Sequence, residues 1–239
     1  MTTLLLRLAG PLQSWGESSR FARRTTERAP TKSGVLGLLA AADGRRRTDS
    51  LEDLLDLRYG VRVDQPGRVE RDFQTTIGTG GQRYPLTDRF YLTDAVFLAV
   101  VEGDEELLRG LDEALRAPVF PLYLGRRSCV PEGRVSLGVR ADRLREVIER
   151  EPWSASGWWK RRNGPTVQLD AYVDAGPDDA ATFTGHSTHR DVPLSFDPER
   201  REYGWRAVGH QRVTVVNDDP VVERSTRPRH DPMTALGGA

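Results

Sequence analysis

The run Ala95-Val-Phe-Leu-Ala-Val-Val101 is apolar at every position, so a strand built from it needs cover on both faces. Such a strand suits the centre of a sheet. Gly103-Asp104 then leads into a helix, with Glu105 and Glu106 in its first turn and Arg116 in its last. Leu107, Leu108, Leu111, Ala114 and Leu115 form its apolar stripe, and Pro118 ends it. A second helix is written across residues 28–44. Pro30 fixes its entry, Thr31 or Ser33 can cap its first amides, and Gly44 stops it. Leu36, Leu39 and Ala40 give it a buried side, while Gly34, Gly37 and Ala41 admit another backbone.

Around these elements the chain reads as strand, helix, strand, strand, helix, strand. Residues 2–8 form an apolar first strand, 59–64 alternate as a second, and the third lies within 90–101. A fourth is expected at 122–130, carrying Gly125-Arg126-Arg127. This βαββαβ order predicts an α+β, ferredoxin-like (RRM-like) core over residues 1–132. Residues 65–88 are a polar, glycine-flanked excursion, read as a protruding β-hairpin. A β-rich part follows at 133–217, with a short helix at 141–149 and the aromatic, basic stretch Trp158-Trp-Lys-Arg-Arg162. Its β-like runs are 167–173, 181–183, 192–196, 205–208 and 211–216. The tail, 218–239, is rich in Pro, Arg and Gly and is expected to be poorly ordered.

The net charge is zero, so overall basicity does not argue for nucleic acid. The distribution does. Residues 1–50 carry nine Lys/Arg against four Asp/Glu, a local +5, whereas 151–200 carry five against eight, a local −3. Arg20, Arg23, Arg24, Arg28 and Lys32 load the loop that ends at the N-terminus of the 28–44 helix, where aligned amides favour phosphate. No apolar run approaches the roughly 20 residues that span a bilayer, which argues against a membrane protein. The lone Cys129 excludes a disulfide framework and any multi-cysteine zinc site, and fits a cytoplasmic chain.

Catalytic signals are weak. Thr31-Lys32-Ser33 follows Ala29-Pro30, and a proline has no amide to wrap a phosphate, so a nucleotide P-loop is not expected. Gly78-Thr-Gly-Gly81 matches a GxxG clamp but suits a flexible tip better. The four His residues are 186, 189, 210 and 230, so the basic first half has no imidazole for acid–base work. His186 and His189 lack a second ligand pair of metal-site spacing, and Cys129 shows no nucleophile pattern. No catalytic residue, metal or cofactor is therefore assigned. Aromatic residues beside basic ones are the better signal: Trp15 next to the arginine loop, Phe73 and Tyr84 in the excursion, and Trp158 to Arg162. Each Trp can equally pack in the core.

Three segments resemble a known family: Leu6-Arg-Leu-Ala-Gly-Pro-Leu-Gln-Ser-Trp-Gly16, Arg28-x-Pro-Thr-Lys-Ser-Gly-Val-Leu-Gly-Leu-Leu39 and Pro121-x-Tyr-Leu-Gly-Arg-Arg-Ser-Cys129. They are similar to the CasD-type CRISPR-associated proteins, Cas family five of subtype I-E. Phe183-Thr-Gly-His186 and Arg190-Asp-x-Pro193 add weaker echoes. The resemblance implies a non-catalytic subunit of the Cascade surveillance complex that caps the 5′ handle of CRISPR RNA (crRNA). It also implies contacts to the backbone and large subunits, and to target DNA indirectly through the complex. The excursion would be the family's thumb, with Arg71, Phe73 and Gln74 on it. Handle RNA would be held by Gln13, Ser14, Trp15, Arg23, Arg24, Arg28, Lys32, Ser33, Arg126 and Arg127. The competing reading is a metal-independent repeat-RNA endonuclease using a Tyr, Lys32 or His189.

Overall fold

A computed structural model describes residues 1–16, 23–176 and 183–219. In chain order the elements are β1 (Thr2–Ala9), β2 (Leu12–Gln13), β3 (Arg23–Arg24), α1 (Lys32–Ala42), α2 (Glu52–Leu55) and β4 (Arg58–Gln65). Next come β5 (Arg68–Gln74), β6 (Thr87–Thr93), β7 (Val96–Gly103), α3 (Glu105–Arg116) and β8 (Ser136–Arg140). The last are α4 (Leu144–Arg150), α5 (Gly157–Lys160), β9 (Thr166–Asp174), β10 (Gly185–Ser195) and β11 (Glu202–Val216).

The apolar run becomes β7, inside a seven-stranded sheet of order β10-β11-β9-β4-β7-β1-β8. It pairs antiparallel with β1 on one side and β4 on the other. On one face Leu4, Leu6, Phe97 and Val101 pack under α1 and α3. On the other, Leu5, Leu98 and Val100 pack under α4 and Trp153. Both faces are covered, as its composition requires.

The helices follow their caps. Thr31 Oγ1 accepts from the Gly34 N–H at 3.2 Å, which settles the capping of α1 in favour of Thr31 over Ser33. Gly44, at φ +83°, takes the left-handed turn that ends it. Asp104 caps α3 by accepting from the Leu107 N–H at 3.0 Å.

The expected fourth strand is wrong. Residues 122–130 form a tight turn in which the Cys129 carbonyl accepts from the Leu124 N–H at 2.7 Å, with Gly125 at φ +86°. The chain folds back on itself there instead of extending, and the edge beside β1 is filled by β8. That edge strand begins only at Ser136. Beyond it, the β-rich part continues the same sheet, β9 joining β4, β11 joining β9 and β10 joining β11. The runs at 205–208 and 211–216 are one strand, β11. Most of 181–183, and the tail after Asp219, lie outside the described residues.

The excursion is a hairpin, β5 with β6, in the register Val69↔Leu92, Arg71↔Phe90 and Phe73↔Asp88. It runs five residues further than the expected 65–88, because β6 reaches Thr93. With β2 and β3 it makes a second, four-stranded sheet. All seven residues of β5 are exposed.

Candidate nucleic-acid interface

The candidate surface is built where β3 lies parallel to β6, Arg23 beside Asp88 and Arg24 beside Arg89. The Arg23 guanidinium sits over the Phe90 ring at 5.2 Å, and Arg126 over Tyr91 at 4.8 Å. Arg126 also donates to the carbonyls of Phe90 (3.2 Å) and Arg24 (2.9 Å). It thus ties the 122–130 turn to both strands. Arg127, its neighbour in the turn, is exposed, as are Arg23, Arg24 and Arg28. The glycine is essential to this docking: a Cβ on Gly125 would overlap the Ser14 carbonyl oxygen. The Gly125-Arg126-Arg127 turn, the Gln13–Trp15 segment and the arginine loop therefore meet, although no strand brings them together.

Five expected RNA contacts are buried. Gln13 is fully enclosed, its amide donating to the carbonyls of Leu8 (3.2 Å) and Ala95 (2.7 Å) and accepting from Trp15 Nε1 at 3.0 Å. Trp15 is 1% exposed, with its ring against Gly34. Ser14 donates to the Phe90 carbonyl at 3.2 Å. These three side chains lock β2 onto the core and offer a ligand no stacking face or free polar atom.

Lys32 and Ser33 are buried in the first turn of α1, and the Lys32 amide already has a partner. The Lys32 N–H donates to Asp191 Oδ2 at 2.7 Å, and its Nζ pairs with Asp174 at 3.0 Å. Arg206 completes the cluster, bonding Asp191 at 2.6 Å and 2.9 Å and Asp174 at 2.6 Å. Two carboxylates face two cations, so burial is balanced. Those carboxylates hold Arg206 well above the ordinary guanidinium value despite its burial. Arg206 also covers the Tyr59 ring at 5.3 Å, and burial pushes the Tyr59 hydroxyl up as it donates to the Pro30 carbonyl at 2.8 Å. The helix N-terminus does bind an anion, but the anion is the chain's own Asp191.

The hairpin carries the remaining expected residues outward. Phe73 is 65% exposed, and Gln74 and Arg71 are exposed beside it, with Arg71 paired to Asp88 at 2.9 Å. Alternation along β5 puts Val69, Arg71 and Phe73 on one side of the strand and Gln74 on the other. His186 and His189 stand three apart on β10, so their side chains fall on opposite sides, unsuited to one shared ion. Cys129 is fully buried, which raises its thiol above the usual range.

An RNA-recognition module stacks bases on the open face of its sheet. Here the face of the seven-stranded sheet that carries Leu5, Leu98 and Val100 lies under α4 and Trp153. A buried ion pair fastens the cover: Arg62 bonds Asp64 at 2.6 Å and the carbonyls of Ile148, Glu151 and Pro152 at 2.7–3.0 Å. The hairpin sheet, by contrast, keeps β5 exposed and has the exposed Arg23 and Arg24 along it. Sequence reasoning missed that Phe90 and Tyr91 are the rings on which Arg23 and Arg126 are seated. Phe90 and Tyr91 read as ordinary core strand, and only their register against the arginine loop reveals them.

The sequence matches the family described as CRISPR-associated protein (Cas_Cas5) over residues 3–209. It is 36% identical over 172 residues to the CRISPR system Cascade subunit CasD of Escherichia coli (strain K12), covering 62% of this chain and 77% of that protein. A chain of a solved CRISPR RNA-guided surveillance complex superposes with a TM-score of 0.73 at 35% identity, covering 91% of this chain and 92% of that one. A crystal structure of a Cas protein gives 0.68 at 37% identity, covering 92% and 97%. Matched along nearly its whole described length in sequence and in fold, this chain belongs to the Cas5 family of CRISPR-associated proteins.

Proposed function

We propose that this chain is the non-catalytic, crRNA-binding subunit of a type I-E Cascade surveillance complex. It caps the 5′ handle, contacts the backbone and large subunits, and meets target DNA only through the assembly. Its relatives are a Cascade subunit and a chain of an RNA-guided surveillance complex. The observation that carries the reading is the seating of Arg23 and Arg24 beside the hairpin by Arg126, with Arg127 exposed in the same turn. Arg126 acts as the clamp, and Arg23, Arg24, Arg28 and Arg127 hold phosphates. Arg71, Phe73 and Gln74 act from the thumb.

The strand order β8-β1-β7-β4, all antiparallel, supports reading residues 2–140 as a ferredoxin-like core whose platform has been closed by α4. Among the described residues no helix is long and apolar enough to cross a membrane, and a cytoplasmic location suits the role.

Lys32 is buried in the Asp174–Asp191–Arg206 cluster, which argues against its use in cleavage. Incubating the purified chain with repeat RNA in EDTA tests this directly. Intact RNA, with a mobility shift that scrambling the handle abolishes, is the expected result. Site-specific cleavage removed by one substitution would establish the endonuclease instead.

A further inference from the structure

The stretch Trp158 to Arg162 is not used by the handle site, yet it is anchored at the root of the hairpin. Ser156, which precedes α5, donates its N–H (3.2 Å) and Oγ (2.7 Å) to Gln65 Oε1. Gln65 is the last residue of β4, and its own amide donates to the Asp94 carbonyl at the hairpin's other foot. Trp159 packs inward, while Trp158 stands edge-on to it at 5.5 Å and is 40% exposed. Arg162 lies over the Trp158 ring at 5.1 Å. A ring beside a guanidinium, with two more cations in sequence, is the pairing that holds a base and its neighbouring phosphates.

The chain's own carboxylates already occupy two of those cations. Asp218 bonds Lys160 Nζ at 2.6 Å, and Asp219 bonds Arg161 at 3.1 Å. They are delivered by Asn217, whose buried amide donates to the carbonyls of Lys160, Asn163 and Gly164 at 2.9–3.2 Å. Arg161 is open to a competing anion and its pair with Asp219 is exposed and therefore weak, whereas Lys160 lies largely beneath the exposed Asp218 and is reached as that carboxylate swings away.

We propose that Trp158, Lys160, Arg161 and Arg162 form a second nucleic-acid contact at the hairpin root. It takes a single-stranded segment with one base on Trp158, and Asp218 and Asp219 hold its cations until the strand arrives. The inference rests on the RNA-binding reading for its location, since a strand passing the thumb reaches this root. An acidic peptide would need the cations but not the exposed ring, which favours nucleic acid.

The test uses the full chain carrying Arg23→Ala and Arg24→Ala, so that the handle surface contributes little. Anisotropy of labelled U20 and T20 oligonucleotides is followed against salt. Trp158→Ala should weaken binding about tenfold while Trp158→Phe keeps most of it. Arg161→Ala with Arg162→Ala should lower the log–log salt slope by about 1.4, roughly 0.7 per phosphate lost. Asp218→Asn with Asp219→Asn should tighten binding severalfold. U20 preferred over T20 assigns the strand to RNA, and equal binding to any single strand. Unchanged affinity in the Trp158 and arginine variants overturns the proposal, as does poly-glutamate binding that matches U20 and ignores Trp158. Handle-RNA binding in the chain with Arg23 and Arg24 restored reports on the handle reading separately, because neither Trp158 nor Arg162 belongs to that surface.

Discussion

The Lys32 N–H points at Asp191, 159 residues away in sequence and 2.7 Å away in space. This one bond turns a helix N-terminus that looks ready for phosphate into a joint between α1 and the β10–β11 hairpin. Asp191 is 1% exposed and serves Arg206 as well. Its removal leaves Arg206 buried with Asp174 alone. Asp191→Ala is expected to cost about 3–5 kcal/mol, and Asp191→Asn less, because an amide oxygen still accepts from Lys32. Urea midpoints at constant m-value measure both.

Gly125 should be equally intolerant, for a backbone reason. At φ +86° and against the Ser14 carbonyl, it has neither the conformation nor the space for a side chain. Gly125→Ala is expected to destabilise by more than about 1 kcal/mol. It should also free Arg126 from the Arg24 carbonyl, seen as faster proteolysis within the arginine loop.

A pH effect follows from Arg45 and Asp53, which meet through two bonds of 2.5 Å beside α2. The hydrogen bonds from Arg45 hold the Asp53 carboxyl below its ordinary range. A depressed folded value stabilises above the unfolded pKa of about 4, and the gain is lost as pH falls through the folded value. Asp53 is half exposed, so the gain is at most about 1 kcal/mol. Arg45→Ala should be destabilising at pH 7, with the difference from the unaltered chain shrinking as pH falls below about 4, read from paired melting curves.

Much of the fold could be read from apolar patterning. Val96 to Val101 dictated a central strand, the Leu107–Leu115 stripe dictated α3, and Thr31 with Gly44 bracketed α1. The misreadings share one cause: a residue's neighbours in sequence do not disclose its partners across the sheet. Leu122-Tyr-Leu passed for a strand because nothing local shows that Gly125 turns there. Lys32 and Ser33 looked available because the carboxylate that claims the Lys32 amide comes from β10. Trp15 looked like a stacking residue until Gly34 supplied the hollow that seats it. The exposed arginines and the hairpin were legible because charge and missing apolar content are local properties. The β-rich part was seen as strands but not as an extension of the same sheet, since pairing of β9 with β4 joins residues more than a hundred apart.

The central claim is that Arg23 and Arg24, held by Arg126, grip handle phosphates. It is tested most directly by the salt dependence of handle-RNA affinity for the unaltered chain and for Arg23→Ala with Arg24→Ala. Both side chains are exposed, so folding should be unaffected. The account predicts weaker binding and a log–log slope shallower by about 1.4, two phosphate contacts at roughly 0.7 each. An unchanged affinity with an unchanged slope would contradict it.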